Sequence, residues 1–306
     1  MSSIEGSTGQ SAADRIRLDT VVIGVDFSAS SIAAADWVRK DLAPLARCAI
    51  VHALHVPRPP SFLQGAFPSR AALLASAREG ATTRLERVVR DHAWGTVSTQ
   101  VVEGRPEDVI AGAANEADAD LVVVGEHARP RGMWANLGST AEALVRCSPV
   151  PVLVARNPHE RPPESILVAV DESDQAAALR WGRMLAGESG AALTILHIFQ
   201  SVYLGIAQAV SGMNAARTLE HEQRRQTEAW LEQYVSAVGF GPNEATLRIE
   251  SGDPATAIVA AQRGGDFDLL VIGSRGAGGV SRMLLGSVAS GVVRGASCPV
   301  LVVRTR

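Results

Sequence analysis

The second half of this chain repeats the first, and that constrains its fold more than any composition does. Val21-Val22-Ile23-Gly24-Val25-Asp26 returns as Ile166-Leu167-Val168-Ala169-Val170-Asp171, an offset of 145 residues. Trp37 returns as Trp181 and His55-Val56 as His197-Ile198, at offsets of 144 and 142 that small insertions would explain. Later segments keep an offset of 148: Gly104-Arg105-Pro106 with Gly252-Asp253-Pro254, Asp118-Ala119-Asp120-Leu121 with Asp266-Phe267-Asp268-Leu269, and Pro151-Val152-Leu153-Val154 with Pro299-Val300-Leu301-Val302. A period near half of 306 residues means two copies of one domain. The expected division is a polar tail over 1–18, a first domain over 19–156, a proline-rich spacer over 157–163 and a second domain over 164–306.

Within each copy, short unbroken runs of Val, Ile, Leu and Ala alternate with segments of helical period. Runs apolar on both faces suit strands buried on both sides of a parallel sheet. Strands are expected near 20–25, 49–55, 97–102, 120–125 and 151–155, and again near 165–170, 192–198, 245–250, 268–273 and 299–303. Helices are expected near 29–42, 68–92, 106–117 and 138–146. A long helix in the second copy carries Trp230, Leu231, Tyr234, Val235 and Val238 on one side. Strand and helix in alternation predict an α/β fold: two tandem flavodoxin-like or Rossmann-like domains, each a five-stranded parallel sheet with helices on both faces. Such sheets bind ligands outside the carboxyl ends of their strands, where the strand order reverses.

The stretch that such a crevice would use is Leu269-Leu270-Val271-Ile272-Gly273-Ser274-Arg275-Gly276-Ala277-Gly278-Gly279, followed closely by Gly286-Ser287-Val288. It reads as strand, glycine-rich loop and helix N-terminus, an arrangement that offers backbone N–H donors and a partial positive charge to phosphate. It is neither a Walker loop, which needs Gly-Lys-Ser/Thr, nor the three-glycine dinucleotide loop. The spacing of Gly273, Gly276 and Gly286-Ser287, together with the tandem repeat, resembles the ATP-binding signature of the universal stress protein family. That resemblance implies ATP as ligand, with Mg²⁺ or Mn²⁺. It also implies a site in the second copy made of Ala169, Asp171, Ile198, Ile272, Gly273, Arg275, Gly276, Gly286, Ser287 and Val288. The matching positions of the first copy are Gly24, Asp26, Val56, Val124, Gly125, His127, Gly138, Ser139 and Thr140.

Each of these residues has a plainer reading. Ser287 suits the N-cap of the following helix, Gly273 and Gly276 suit turns, and Asp171 suits a helix cap as well as a ligand contact. The first copy carries Ala128 where the second has Gly276, and an alanine at φ > 0 costs about 1 kcal/mol. The second site is therefore expected to bind ATP the more tightly. His55, His127 and His197 have no second ligand at metal spacing, and no Ser-His-Asp set or paired acids assign a catalytic residue.

A net charge of −3 and 4% aromatic residues leave no footprint for nucleic acid or an anionic membrane, while 46% hydrophobic residues supply two cores. Met1–Asp19 lacks a signal-peptide core, and Cys48, Cys147 and Cys298 form no CxxC pair and suit buried positions. A cytoplasmic, nucleotide-dependent regulatory protein of stress responses is the leading expectation, acting on an unknown protein partner. The alternatives are a slow ATPase or self-phosphorylating enzyme, and an interaction scaffold with degenerate sites. The last strand of each copy is expected at a sheet edge, pairing with the other copy in the same chain or, as the resemblance implies for family dimers, with a second chain.

Overall fold

The computed structural model describes residues 16–55, 69–126, 138–173, 176–199, 204–275 and 285–304, the side chains of 204–220 excepted. The first half runs β1 (Thr20–Gly24), α1 (Ala29–Trp37), β2 (Arg47–Leu54), α2 (Arg70–Asp91), β3 (Ser98–Glu103), α3 (Pro106–Glu116), β4 (Leu121–Gly125), α4 (Ser139–Cys147) and β5 (Val152–Ala155). The second runs β6 (Ser165–Val170), α5 (Ala176–Ser189), β7 (Ala192–Phe199), α6 (Leu204–Ala237), β8 (Thr246–Ser251), α7 (Pro254–Gly264), β9 (Leu269–Gly273), α8 (Ser287–Gly295) and β10 (Val300–Val303). The helix expected over 29–42 is α-helical only to Trp37; Val38–Leu42 forms a wider π-helical turn.

All ten strands form one sheet in the order β3-β2-β1-β4-β5-β10-β9-β6-β7-β8. Pairing is parallel within each half. At the centre β5 and β10 run antiparallel, with Val300 opposite Val154, Leu301 opposite Leu153 and Val302 opposite Val152. The last strands therefore pair within the chain. Both sides of each are occupied, so neither is the sheet edge that pairing with a second chain requires; the outer strands are β3 and β8.

Alternation along the strands sorts the core into two layers. Val21, Ile23, Ile50 and Val123 pack with α1 and α2 on one face, and Val22, Val51, Val122 and Val124 pack with α3 and α4 on the other. Both layers continue into the second half through Leu153, Ile166 and Val168 on the first face and Val154, Leu167 and Leu270 on the second. Of the three cysteines, all free, Cys48 and Cys298 are buried, but Cys147 at the end of α4 is exposed, contrary to expectation. No helix among the described residues is long and apolar enough to cross a membrane.

The repeated Asp-x-Asp has a local cause. Asp118 and Asp266 take φ of 45° and 49°, a left-handed conformation that Asp tolerates better than most residues. Two residues on, Asp120 Oδ2 accepts the N–H groups of Asp19 and Thr20 (2.8 and 2.9 Å), and Asp268 Oδ2 accepts those of Glu164 and Ser165 (2.8 and 3.1 Å). Each carboxylate thus fixes the start of its domain's first strand. Asp268 also takes a two-pronged contact from Arg161 of the spacer, at 3.1 and 3.2 Å.

The seam between the halves obeys the same pseudo-symmetry. Arg156, just after β5, donates through Nη1 to the carbonyls of Arg294 (3.2 Å) and Ala296 at the end of α8. Arg304, just after β10, donates to the carbonyl of Arg146 in the last turn of α4. A cation at a helix C-terminus is well placed against the helix dipole. Glu142 of α4 joins Arg294 across the seam at 2.9 Å and Arg146 in its own helix at 3.1 Å.

Candidate functional site

In the first half the strand order reverses between β1 and β4, where an open α/β sheet parts its connections to leave a crevice. A cleft of about 720 Å³ lies there. Its floor is the carboxyl ends of β1, β2 and β4, and the first turns of α3 and α4 flank it. Of the expected first-copy residues, Gly24, Asp26, Val124, Gly125, Gly138, Ser139 and Thr140 all line it. Val56 and His127 lie outside the described residues, as do Ala128 and Gly276.

Strand register corrects the equivalence drawn from sequence at β2. Gly24 stands opposite Val51, and Ala169 opposite Leu196, so the partner of His197 is His52 and that of Ile198 is Ala53. The side chains agree: Nδ1–H of His52 donates to Val25 O (2.7 Å), and that of His197 to Val170 O (3.1 Å). The offset is 145 in both strands, with no net insertion between them; the similar pair His55-Val56 obscured it. Ala53, which lines the cleft, was missed for that reason.

Asp26 organises the turn after β1. Its Oδ1 accepts the N–H (2.9 Å) and the hydroxyl of Ser28, its own N–H donates to Ser31 Oγ (3.3 Å), and Ser28 caps α1 by accepting from Ser31 N–H (3.2 Å). Burial pushes the Asp26 carboxyl up, but the bonds from Ser28 and Ser31 outweigh it and hold the group below its ordinary range. The turn forces Phe27 to φ 63°, an outlier for a bulky side chain, and its ring rests 4.5 Å from His52 with the Arg84 guanidinium 4.3 Å above. Asp171 repeats the bond pattern with Ser173, accepting its N–H at 2.9 Å and its hydroxyl.

Gly125 is a glycine because of packing. A Cβ there would lie 2.7 Å from the backbone of Ser30 and Ser31, so only glycine admits the first turn of α1. Next to it Glu126 is buried, its carboxylate 2.9 Å from Arg156 Nε, which links the cleft wall to the seam.

The helix caps differ from expectation. The N-caps of α4 and α8 are Gly138 and Gly286, and Ser139 and Ser287 are the first helical residues. Neither cap makes a side-chain hydrogen bond, so a glycine leaves the opening N–H groups of each helix without the bond that a serine would supply. In the second half Ala169 and Ile272 are direct neighbours across β6 and β9, and Ile198 follows His197 on β7. Asp171 and Arg275 follow β6 and β9, and Gly286, Ser287 and Val288 open α8. These are the same stations at which the first-half cleft is built. Residues that sequence reasoning passed over include Glu107 and Ile110 of α3 and Arg105 before it, all lining the cleft.

Two consecutive doubly wound α/β units, each with its first and fourth strands adjacent and a glycine-capped helix after the fourth, define a class of tandem crevice proteins. The chain belongs to the universal stress protein family, whose model matches residues 17–156 and 163–304. It is similar to a universal stress protein of Mycolicibacterium smegmatis, 28% identical over 299 residues that span 94% of this chain and 97% of the relative. Universal stress protein Rv2623 of Mycobacterium tuberculosis is 28% identical over 303 residues, 93% and 96% of the two chains. A Thermus aquaticus universal stress protein matches 46% of this chain with 98% of its own length, at 37% identity. The crystal structure of a universal stress protein from Archaeoglobus fulgidus shares the fold, with a TM-score of 0.67 at 20% identity over 94% of this chain and 99% of that one.

Proposed function

We propose that the chain is a nucleotide-dependent regulatory protein that holds ATP, with Mg²⁺ or Mn²⁺, at the carboxyl ends of its strands. The observation that carries this reading is the first-half cleft, about 720 Å³ and flanked by a helix whose N-cap is a bare glycine. That volume lies in the range of small-ligand pockets, roughly 300–1,000 Å³. The residues present fit the ligand: the opening N–H groups of α4 suit a phosphate, and the apolar floor of Val51, Ala53 and Val124 suits a base. Asp26 Oδ1 is engaged by Ser28, so its part is to fix the turn and present a carboxylate edge to a ribose. Among the described residues no group of three or more His, Cys, Asp or Glu side chains is arranged for a metal ion; in this reading the cation enters on the phosphates.

Gly138→Asp and Gly286→Asp test the reading, because they drive folding and binding in opposite directions. Both backbones are extended at the cap, φ −57° and −61°, as an aspartate N-cap requires. Aspartate should stabilise its helix by a few tenths of a kcal/mol or more. Its charge, set about 4 Å from a phosphate at an effective dielectric near 20, costs binding about 4 kcal/mol, roughly a thousandfold. Calorimetric titration with ATP, and with GTP, beside a ligand-free melt reads both. A Gly286→Asp variant that melts no lower than the parent and binds ATP as tightly, or a Gly138→Asp variant that does so and binds both ATP and GTP as tightly, would refute the site it alters.

A further inference from the structure

We propose that the first cleft is a guanine-nucleotide site, so that one chain carries a guanine nucleotide in its first half and an adenine nucleotide in its second. This rests on the nucleotide reading above and replaces ATP by a guanine nucleotide in the first cleft alone. Register equates Gly24 with Ala169, Ala53 with Ile198 and Val124 with Ile272, and at all three the first half has the smaller side chain. At Gly24 the space is taken up by Ile110, whose Cδ1 lies 2.5 Å from where a Cβ would stand. At Ala53 the side chain is three carbons shorter than Ile198, on the part of the cleft lining that β2 supplies.

The polar groups say what the extra room is for. In this proposal the phosphates lie at the first turn of α4 and the base beside Ala53 and the first turn of α3, all of which line the cleft. The second half has Asp253 and Ala255 at the matching positions, and Asp253 is spent on capping α7, accepting from Thr256 N–H at 3.0 Å and Thr256 Oγ1 at 2.7 Å. The first half has Arg105 and Glu107 instead. Arg105 makes no side-chain cap; it pairs with Glu107, and its Nε stands 4.0 Å from Asp108. The Glu107 side chain is only 14% exposed, while that of Arg105 is 73% exposed and able to turn. A carboxylate accepts two parallel N–H groups, and a guanidinium donates to carbonyl and ring-nitrogen acceptors. Guanine presents that set, N1–H and the 2-amino group beside O6 and N7, whereas adenine sets the lone pair of N1 against the carboxylate. The smaller side chain at Ala53 leaves room for the 2-amino group. One such paired contact discriminates between bases by about tenfold to a hundredfold.

The experiment is equilibrium dialysis of the full chain with differently labelled GTP and ATP, in Mg²⁺. The expected result is one equivalent of GTP per chain that excess ATP leaves in place, beside one equivalent of ATP. Glu107→Gln replaces two acceptors by one acceptor and one donor, the complement of adenine. It should weaken GTP about tenfold or more and admit a second equivalent of ATP. Ala53→Ile should weaken GTP as well while leaving the second-half ATP unchanged, which makes that site the internal control for folding. Two equivalents of ATP with no GTP, complete displacement of GTP by ATP, or Glu107→Gln binding GTP like the parent would overturn this inference and leave the nucleotide reading standing. Binding of neither nucleotide would remove both.

Discussion

Arg156 is the side chain on which cleft and seam meet, and its removal should cost more than any surface change. Its guanidinium is buried, with Nε 2.9 Å from the Glu126 carboxylate and Nη1 on two carbonyls at the end of α8. At 2.9 Å and an effective dielectric near 20, the Coulomb attraction is about 6 kcal/mol. Much of that is offset by taking both charges out of water, so the pair adds little over an apolar substitute. Breaking it is another matter. Arg156→Met leaves the Glu126 carboxylate buried without the guanidinium and takes a donor from the α8 carbonyls, a loss of about 3–5 kcal/mol. At roughly 2–4 °C per kcal/mol for units of this size, the melting temperature should fall by about 6–20 °C. The assay is thermal melting followed by circular dichroism near neutral pH without nucleotide, on Arg156→Met, Glu126→Gln and the double variant. The double variant should lose less than the two single losses added together, because no buried carboxylate is left to miss the guanidinium. Single variants within about 1 °C of the parent, or strictly additive losses, would refute the argument.

Two further outcomes follow from the geometry. Leu301→Pro, 1% exposed in the middle of β10, removes a donor on the β9 side and bends the strand that β5 pairs with, so it should open the seam, lowering the sedimentation coefficient; an unchanged compact particle would contradict it. Burial raises the Asp268 carboxyl, but bonds from the Glu164 and Ser165 N–H groups and from Arg161 overcome this and hold it below its ordinary range. Its stabilisation is therefore full above the unfolded value, near 3.8, and fades as pH drops through the lower folded value. Asp268→Asn should lower stability to denaturant most at neutral pH, with the gap to the parent narrowing below about pH 4; a gap independent of pH would refute the linkage.

Strand positions were readable because buried parallel strands are unbroken apolar runs, and the repeat gave each run twice. Cleft residues were readable wherever motif and strand end coincide, as at Asp26, Gly125 and Gly138. What escaped was register. His52 and His55 are equally plausible partners of His197 on paper, and strand pairing, with the hydrogen bond to Val25 O, selects His52. The caps escaped because Ser is the better N-cap by propensity, and Gly-Ser does not reveal which residue has turned helical. Glu107 gave no signal of its own; its place in the cleft comes from β3 and α3 meeting at Gly104, where φ is 157°.

The antiparallel join of β5 to β10 places the two halves as a pair of identical chains would meet, yet they are encoded separately. In a dimer of identical chains every substitution appears twice, and a change that suits one site is imposed on the other. Here the buried Glu126 of the first half has Ser274 as its counterpart, and Arg156 and Arg304 do the same work on opposite helices from different surroundings. Duplication within one gene released each half from its twin, and a covalent tether keeps the two in fixed proportion however dilute the protein becomes.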